Sequence, residues 1–468
     1  MTIDAMEAAV CKATELGAEF CDIRVDSWQG LSLEIMGSRT RNVVSSLGSG
    51  AGVRALIGGA WGFATTIDTS KQSLLRCSEM AVQFAKACTK FVKAEQRFAM
   101  SEGIKFTSGR KEITRDGEMD SVAGEEKIKF CLDLDKIARA RSPLVKNVVI
   151  RFSEGFGKAA IVNSHGACIE KSIGTVYTLA NVMVKENDVL QSGGEIFSHI
   201  GCWNTADPAA VEKSVIAAAD QGVRLLKAKA CPPGAFTIIA DNKLGGVFVH
   251  EAMGHACEAD SILAGQSILE GRAGDRIGNE AVNIIDDGSR SDLYGYIPSD
   301  SEGIPSRKTT LVKDGILVGY LHDLETASRM DCQPTGNGRA ESFDCMPQVR
   351  MTNTYLEPQD WTVDEIIGDT KRGIYCKNWQ YGYVEPDKGN FMFKCKEATM
   401  IENGVQTTLL KDVALSGQIL QVLHDIDAIG NDFGSSGGTC GKGGQHVRVS
   451  DASPHFRIKN VLVGGMEG

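Results

Sequence analysis

The stretch DPAAVEKSVIAAADQGVRLLKAKACPPGAFTIIA, residues 207–240, divides the chain into two parts. Residues 207–230 are the longest helix candidate, with an aspartate near the start and lysines near the end. The following Cys231-Pro232-Pro233-Gly234 cannot continue a helix, because proline lacks the N–H donor that a helix interior needs. The run AFTIIA after it is typical of a strand. We therefore predict two domains, 1–230 and 231–468.

Length and charge agree with this division and limit the function classes. A chain of 468 residues exceeds one ordinary hydrophobic core. Its 42% apolar and 24% charged residues are typical of a soluble globular protein. The net charge of −10 argues against nucleic acid as the main partner, because little basic surface is available to neutralise phosphates.

The same composition indicates a cytoplasmic protein without membrane contact. The N-terminal residues lack the basic and apolar regions of a signal peptide. No stretch approaches the ~18 uncharged apolar residues of a membrane span. The chain has 14 cysteines and no C-x-x-C pair, which favours reduced thiols that mostly fill the core.

Hydrophobic periodicity predicts an α+β fold, with a mixed α/β N-terminal domain and a β-rich C-terminal domain. In the N-terminal domain it predicts further helices at 4–17, 70–90 and 125–142, strands at 20–26 and 31–37, and paired strands within 145–166. In the C-terminal domain, β-like runs occupy 308–323, 390–404 and 456–465. The dipeptides Asp314-Gly315 and Asn403-Gly404 are hairpin signals.

The segment VFVHEAMGHACEAD, residues 247–260, holds two histidines beside a glutamate. It resembles the H-E-x-x-H motif of zinc proteases, but His250 and His255 are five positions apart. Each residue of an α-helix turns the chain by about 100°, so a spacing of five leaves the two side chains about 140° apart. A π-bulge would realign them, and Gly254 provides the flexibility that it needs. The alternative is a buried helix whose histidines bind neighbouring carbonyls.

A catalytic zinc site needs a third protein ligand, and the glycine-rich loop GSSGGTCGKGGQ, residues 434–445, offers Cys440. Glycines let the backbone approach a metal or substrate closely. The alternative for Cys440 is a buried free thiol. Weaker candidate ligands are Glu258, Asp260, His424 and His446.

These motifs together resemble the TldD/PmbA family of metalloproteases, and specifically its metal-bearing TldD type. The hallmarks are H-E-x-x-x-H, here His250 to His255, and a downstream G-x-C-G-K-x-G-Q loop, here residues 438–445. The likeness continues in GAEFCDIRVD, GSGAGVRALIGGAWGFATT, SEGIPSRKTTLVKDGILVGYLHD, TGNGRAES and RMTNTYLEP. Where the family commonly has D-D-E-G, this chain has Asp300-Ser301-Glu302-Gly303.

The resemblance implies a Zn²⁺ ion held by His250, His255 and Cys440, with Glu251 as the catalytic acid/base. The expected activity is hydrolysis of short or unfolded peptides by zinc-activated water. The resemblance further implies a substrate cleft and dimer contacts in the N-terminal domain, and a PmbA/TldE-like partner subunit or a homodimer. Two alternatives stay open: a zinc amidohydrolase that acts on small molecules, and a non-catalytic partner subunit of a heterodimer.

Overall fold

A computed structural model describes residues 3–93, 97–107, 111–115 and 119–465. The helices in these residues are α1 (Ile3–Glu15), α2 (Lys71–Cys88), α3 (Gly124–Ala140), α4 (Pro208–Leu225), α5 (Asn242–Val249), α6 (Ala259–Leu263), α7 (Leu324–Arg329), α8 (Val363–Gly368) and α9 (Ile419–Asp425). The four helices expected before residue 230 are present.

The first strands are β1 (Phe20–Met36), β2 (Arg39–Ile57), β3 (Ala60–Thr66), β4 (Lys111–Arg115), β5 (Val145–Asn163), β6 (Cys168–Glu186), β7 (Val189–Ile200) and β8 (Lys229–Ala230). The later strands are β9 (Gly234–Ala240), β10 (Ile284–Asp287), β11 (Lys308–Lys313), β12 (Ile316–Leu317), β13 (Gly338–Arg339), β14 (Gln348–Val349), β15 (Asn353–Leu356), β16 (Arg372–Glu385), β17 (Asn390–Glu402), β18 (Val405–Lys411), β19 (Val413–Gln418), β20 (Ile426–Ile429), β21 (Gly434–Lys442), β22 (Gln445–Ser453) and β23 (Phe456–Gly465).

The first sheet has the strand order β3-β2-β1-β5-β6-β4, with β7 beside β6. Its helices cover one face, where α1 and α2 pack on β1 and β2 while α3 and α4 pack on β5 and β6. The prediction of separate short strands here was wrong, because β1 and β5 each run without a break. Gly30 of β1 lies opposite Gly155 of β5 in the sheet. Both strands therefore continue through the positions where a break between two shorter strands was expected.

The rest of the chain forms two larger sheets. One has the order β16-β9-β23-β19-β17-β18-β8 with β20 beside β23, and the other has the order β12-β11-β10-β15-β22-β21. Helix α5 packs between them in a shared core that includes Phe248, Phe391, Phe393 and Phe456. The fold is therefore mixed α/β and rich in sheet.

The predicted boundary at residue 230 stays a prediction, and the structure adds detail around it. Helix α4 ends at Leu225 rather than at residue 230, because Lys229–Ala230 form β8 and pair with β18. Both hairpin signals are confirmed: Asp314 and Asn403 adopt positive φ angles of 50° and 52° at the turns before β12 and β18.

A buried ionic network joins the first sheet to the later half of the chain. The Arg54 guanidinium contacts Asp22 on its own sheet and lies 2.8 Å from the Glu302 carboxylate. Glu302 also accepts the backbone N–H of Leu324 at 2.7 Å. The nearby Asp300 carboxylate accepts N–H groups of Glu302, Ile304 and Gly338 at 2.9–3.0 Å. The D-S-E-G run is therefore a structural link between the two halves.

In the described residues, no helix is long and apolar enough to cross a membrane.

Candidate metal centre

The histidine segment leaves α-helical geometry where the spacing predicts it. Helix α5 begins at the N-cap Asp241, whose side chain accepts the Leu244 N–H at 2.9 Å. A π-helical turn follows at His250–Gly254, and the His255 N–H donates to the His250 carbonyl, an i→i+5 bond. The prediction of a distorted helix with Gly254 inside the distortion is therefore confirmed.

Gly254 is required by close packing as well as by the turn. A Cβ atom added at this position would lie 1.9 Å from Sδ of Met351, which is fully buried. The π-helical turn is thereby pressed against the segment before β15, and any larger residue would push the two apart.

The distortion brings both imidazoles to the Cys440 thiol. One nitrogen of each histidine and the Cys440 Sγ lie within 4.8 Å of one another. Cys440 Sγ is 3.3 Å from His255 Nε2, and the two rings are perpendicular with centroids 5.2 Å apart. His250 and Cys440 are buried, and His255 is half-buried. Two nitrogens and a thiolate form a donor set that suits Zn²⁺, whose bonds are ~2.0–2.3 Å long.

A carboxylate lies behind each imidazole. Asp451 Oδ1 is 2.9 Å from His250 Nδ1, in contact but not aligned as a hydrogen bond. Glu258 Oε2 is 3.0 Å from His255 Nδ1. Both contacts engage Nδ1, which leaves the Nε2 side of each ring to face the thiol. Carboxylates in this position commonly orient the histidines of metal sites.

The charges of the cluster favour a thiolate. Burial alone would raise the pKa of the Cys440 thiol, but its contacts with His250 and His255 lower that pKa to about 5. Burial alone would lower the pKa of His255, but Glu258 and Cys440 raise it to about 10. The thiolate is the form of cysteine that binds metals.

Lys442 completes the surroundings of His255. Its ammonium lies 2.7 Å and 2.8 Å from the two Asp260 carboxylate oxygens and 3.1 Å from Glu258 Oε2. Glu258 is fully buried, and this cation offsets its charge. Lys442 stands two positions after Cys440 in the same strand, so one β-strand supplies both the thiol and the counter-charge.

Cys440 lies in a strand, so the prediction of a loop at 434–445 was wrong. Strands β21 and β22 pair along their full length, with Cys440 opposite Val447. Glycines permit the close packing here, since a Cβ at Gly437 would lie 2.4 Å from Ser198 Oγ. The Cys440 carbonyl accepts a 2.6 Å hydrogen bond from the fully buried Arg350.

The other candidate residues from the sequence lie outside the cluster of three donor atoms. Glu251 lies in the π-helical turn and is half-buried; among the described residues, its carboxylate has no hydrogen-bond or ion-pair partner. Glu258 and Asp260 lie near the cluster without joining it. The side chains of His424 and His446 are exposed and also lie outside it.

Sequence reasoning missed Asp451 and Lys442 as neighbours of the cluster. Asp451 has no motif around it, because it reaches His250 only through the packing of α5 on β22. Lys442 did have a signal, since it belongs to the same short motif as Cys440 and alternation along a strand places positions i and i+2 on one face.

Comparison with known proteins shows which family of proteins the chain resembles. Three domains of the PmbA/TldA metallopeptidases match in order: domain 1 at residues 21–85, the central domain at 118–226 and the C-terminal domain at 233–465. The chain is 37% identical to a metalloprotease of Methanocaldococcus jannaschii over 94% of this chain and 96% of that protein. It is 28% identical to the zinc metalloprotease TldD homolog of Saccharolobus solfataricus, over 97% and 98% of the two chains.

A solved structure extends the likeness to the fold. TldE from Thermococcus kodakarensis superposes with a TM-score of 0.80 at 17% identity, over 98% of this chain and 100% of that chain.

Proposed function

The chain belongs to the PmbA/TldD metallopeptidase family, and on that premise we propose that it is a zinc-dependent metallopeptidase that hydrolyses short or unfolded peptides. In this proposal the π-helical turn is the metal-binding helix. His250, His255 and Cys440 hold Zn²⁺, and Glu251 is the general acid/base.

The observation that carries the proposal is the convergence of three donor side chains from distant parts of the sequence. His255 and Cys440 are 185 positions apart, yet their Nε2 and Sγ atoms lie 3.3 Å apart. A buried charge is costly without a compensating charge, and π-helical turns are frequent at functional sites. A bound cation would compensate the negative charge of the buried thiolate. The π-helical turn would then serve to direct both imidazoles at that cation.

The side chains around the cluster have separable tasks. When bound, zinc would supply a Lewis acid that activates water and polarises the scissile carbonyl. Glu251, half-buried and without a partner among the described residues, takes a proton from the attacking water and passes it to the leaving amine. Asp451 and Glu258 hold the Nδ1 sides of the imidazoles, so that both rings keep the orientation that ligation needs.

We further propose that a second subunit, either another copy of this chain or a PmbA/TldE-like chain, shields the site from folded proteins. The shared fold of the Thermococcus TldE chain supports a related partner. Light scattering on the purified chain, alone and mixed with such a partner, tests this pairing. A monomer that still cleaves peptides at high dilution would contradict it.

The activity is tested with the zinc-loaded full chain and an unstructured peptide library. Mass spectrometry of the products should show new amino and carboxyl ends at internal peptide bonds, and a chelator should abolish them. A folded protein of the same composition should stay intact. Cleavage of small amides with no cleavage of any peptide would instead favour a zinc amidohydrolase.

A further inference from the structure

A polar cavity lies between the first sheet and the later half of the chain, apart from the metal-ligand cluster. It has a volume of about 650 Å³, within the ~300–1,000 Å³ typical of small-molecule sites. Its floor is the face of the first sheet that carries no helices, and its roof is formed by residues 297–301 and 339–345. None of its lining residues belongs to the His250–His255–Cys440 cluster.

Strand register explains why the cavity exists. Asp26 of β1 pairs with Ala159 of β5, and Ala159 pairs with Lys171 of β6. Neighbouring strands are ~4.8 Å apart, so the backbones of Asp26 and Lys171 are ~10 Å apart with only a methyl group between them. Gly157, also on this face, has no atom within 4 Å of where a Cβ would stand. Small residues in the middle strand therefore open a space between an acid and a base.

The cations around this space have only neutral partners. Lys171 donates to the carbonyls of Ser299 and Asp300 at 2.8 Å and 3.1 Å, and Arg24 donates to that of Ser342 at 3.3 Å. Arg339 donates to the Arg448 carbonyl at 2.7 Å. Among the described residues, no carboxylate lies within ion-pair distance of these three cations.

On the other side of the space, Asp26 likewise forms no close ion pair, although the charges of Arg24 and Lys171 act on it. Asp26 is half-buried, and among the described residues its carboxylate has no hydrogen-bond or ion-pair partner. Burial raises its pKa, although Arg24 and Lys171 oppose that effect. The hydroxyl of Ser299, which is 1% exposed, likewise has no partner among the described residues. Unpaired polar groups at a cavity wall favour a ligand that satisfies them.

Apolar side chains line the rest of the cavity and indicate that its ligand also has apolar groups. Ile161, Ile173 and Ile297 line the cavity, and Trp28 at its rim stacks on Phe343 with ring centroids 6.0 Å apart. A suitable ligand therefore has an ammonium group, a carboxylate and apolar side chains between or beside them. Short peptides with free ends have this chemistry.

We propose that this cavity is a binding site for short zwitterionic peptides, with the amino-terminal ammonium on Asp26 and the carboxylate on Lys171 and Arg339. The lining of the cavity itself favours a zwitterion with apolar groups. That this zwitterion is a peptide rests on the proposed function. A peptidase releases such fragments, and this site would retain the end of a substrate or a product. The contact of Arg339 with the Arg448 carbonyl connects the cavity to β22, the strand paired with the one that carries Cys440.

Isothermal titration calorimetry with the dipeptide leucyl-leucine tests the proposal. The protein is the full chain carrying Cys440→Ala, so that binding at the metal centre does not contribute. One dipeptide should bind per chain. N-acetyl-leucyl-leucine, which lacks the ammonium, and leucyl-leucine amide, which lacks the carboxylate, should each bind about tenfold more weakly or worse.

Two variants locate the binding. Asp26→Asn should weaken leucyl-leucine binding about tenfold or more while leaving that of the acetylated dipeptide unchanged, and Ala159→Leu should abolish binding by filling the floor. Asp188→Asn, in an exposed turn before β7, is the matched control and should bind like its parent. Melting temperatures of all variants verify folding.

No heat of binding with the parent protein, or equal affinity in the parent, Asp26→Asn and Ala159→Leu proteins, would overturn the proposal. The result is independent of the proposed peptidase activity. A chain that binds leucyl-leucine in this way but cleaves no peptide would refute the activity and leave the site standing. A chain that cleaves peptides but fails these titrations would do the reverse.

Discussion

Two buried histidine regions of this molecule look alike until their second ring nitrogen is considered. His455 contacts Asp432 through Nδ1 at 2.7 Å and the Tyr375 hydroxyl through Nε2 at 2.8 Å. His255 contacts Glu258 through Nδ1 at 3.0 Å, but its Nε2 faces the Cys440 thiol at 3.3 Å. A carboxylate behind an imidazole is thus common to both regions. The partner of Nε2 separates a histidine that packs from one that can bind a metal.

The largest expected effect comes from Glu251, the acid that only the metal-binding region around His255 needs. Glu251→Gln keeps the shape of the side chain but removes its basic carboxylate. Peptide turnover should fall by about 10²- to 10⁴-fold, with zinc content and dimerisation unchanged, because a general base contributes about that much. Zinc content and turnover are measured on the same preparation.

The matched change in the other region is Asp432→Asn, which removes the carboxylate beside His455. It should lower the melting temperature and leave turnover per folded molecule unchanged. Near-normal turnover in Glu251→Gln would exclude Glu251 as the base and remove this distinction between the regions.

The next effect concerns the carboxylates behind the metal-facing rings. Glu258→Gln and Asp451→Asn should each lower zinc affinity about 10- to 100-fold, because such groups orient and polarise the ligands. Competition with a chromophoric chelator measures the affinity. Glu270→Gln, at an exposed position, is the control and should bind zinc as the wild type does. Unaltered affinity in both cluster variants would show that the carboxylates do not support a metal.

Zinc affinity should also depend on pH in a direction set by the cluster. The pKa of about 10 for His255 means that its ring is protonated at neutral pH in the zinc-free chain, and zinc must displace that proton. Burial alone would lower the pKa of His250, but Asp451 and Cys440 raise it well above its ordinary value. Zinc must therefore displace a proton from each ring, and affinity should rise by more than about tenfold per pH unit through neutrality. It should fall more steeply below about pH 5, where the Cys440 thiolate also takes a proton. Affinity that is constant across neutral pH would contradict this charge assignment.

The smallest effect is expected in the packing region. Tyr375→Phe removes the hydroxyl that contacts His455 Nε2 and leaves a buried nitrogen without its partner. The free energy of unfolding should fall by about 1–3 kcal/mol, as denaturant titration would show. Zinc content and turnover should not change. Loss of zinc in this variant would mean that the two regions are coupled.

Local sequence patterns predicted the elements whose conformation depends on residues that are close together in the sequence. The helices before residue 230 and the π-helical turn follow from periodicity and from the spacing of His250 and His255. The lengths of β1 and β5 do not, because Gly30 and Gly155 look like turn residues until each strand is seen to lie beside the other. Neighbouring strands, rather than local preference, keep both glycines extended.

The candidate site divides in the same way. His250, Glu251 and His255 are visible because five positions separate the histidines, and Cys440 stands out through its motif. No local sequence pattern predicts the role of Asp451, because only the packing of α5 on β22 brings it to His250. The Asp26–Lys171 cavity is equally hidden, because strand register creates it from residues with no shared motif.

The most direct test of the account is the zinc content of Cys440→Ala beside that of Cys257→Ala, by mass spectrometry of the purified full chains. Both thiols are buried, but Cys257 lies in the core next to the turn and outside the ligand cluster. The account predicts one zinc ion per chain in the wild type and in Cys257→Ala, with a strong loss in Cys440→Ala. Equal zinc in all three proteins would contradict the assignment of Cys440 as a ligand.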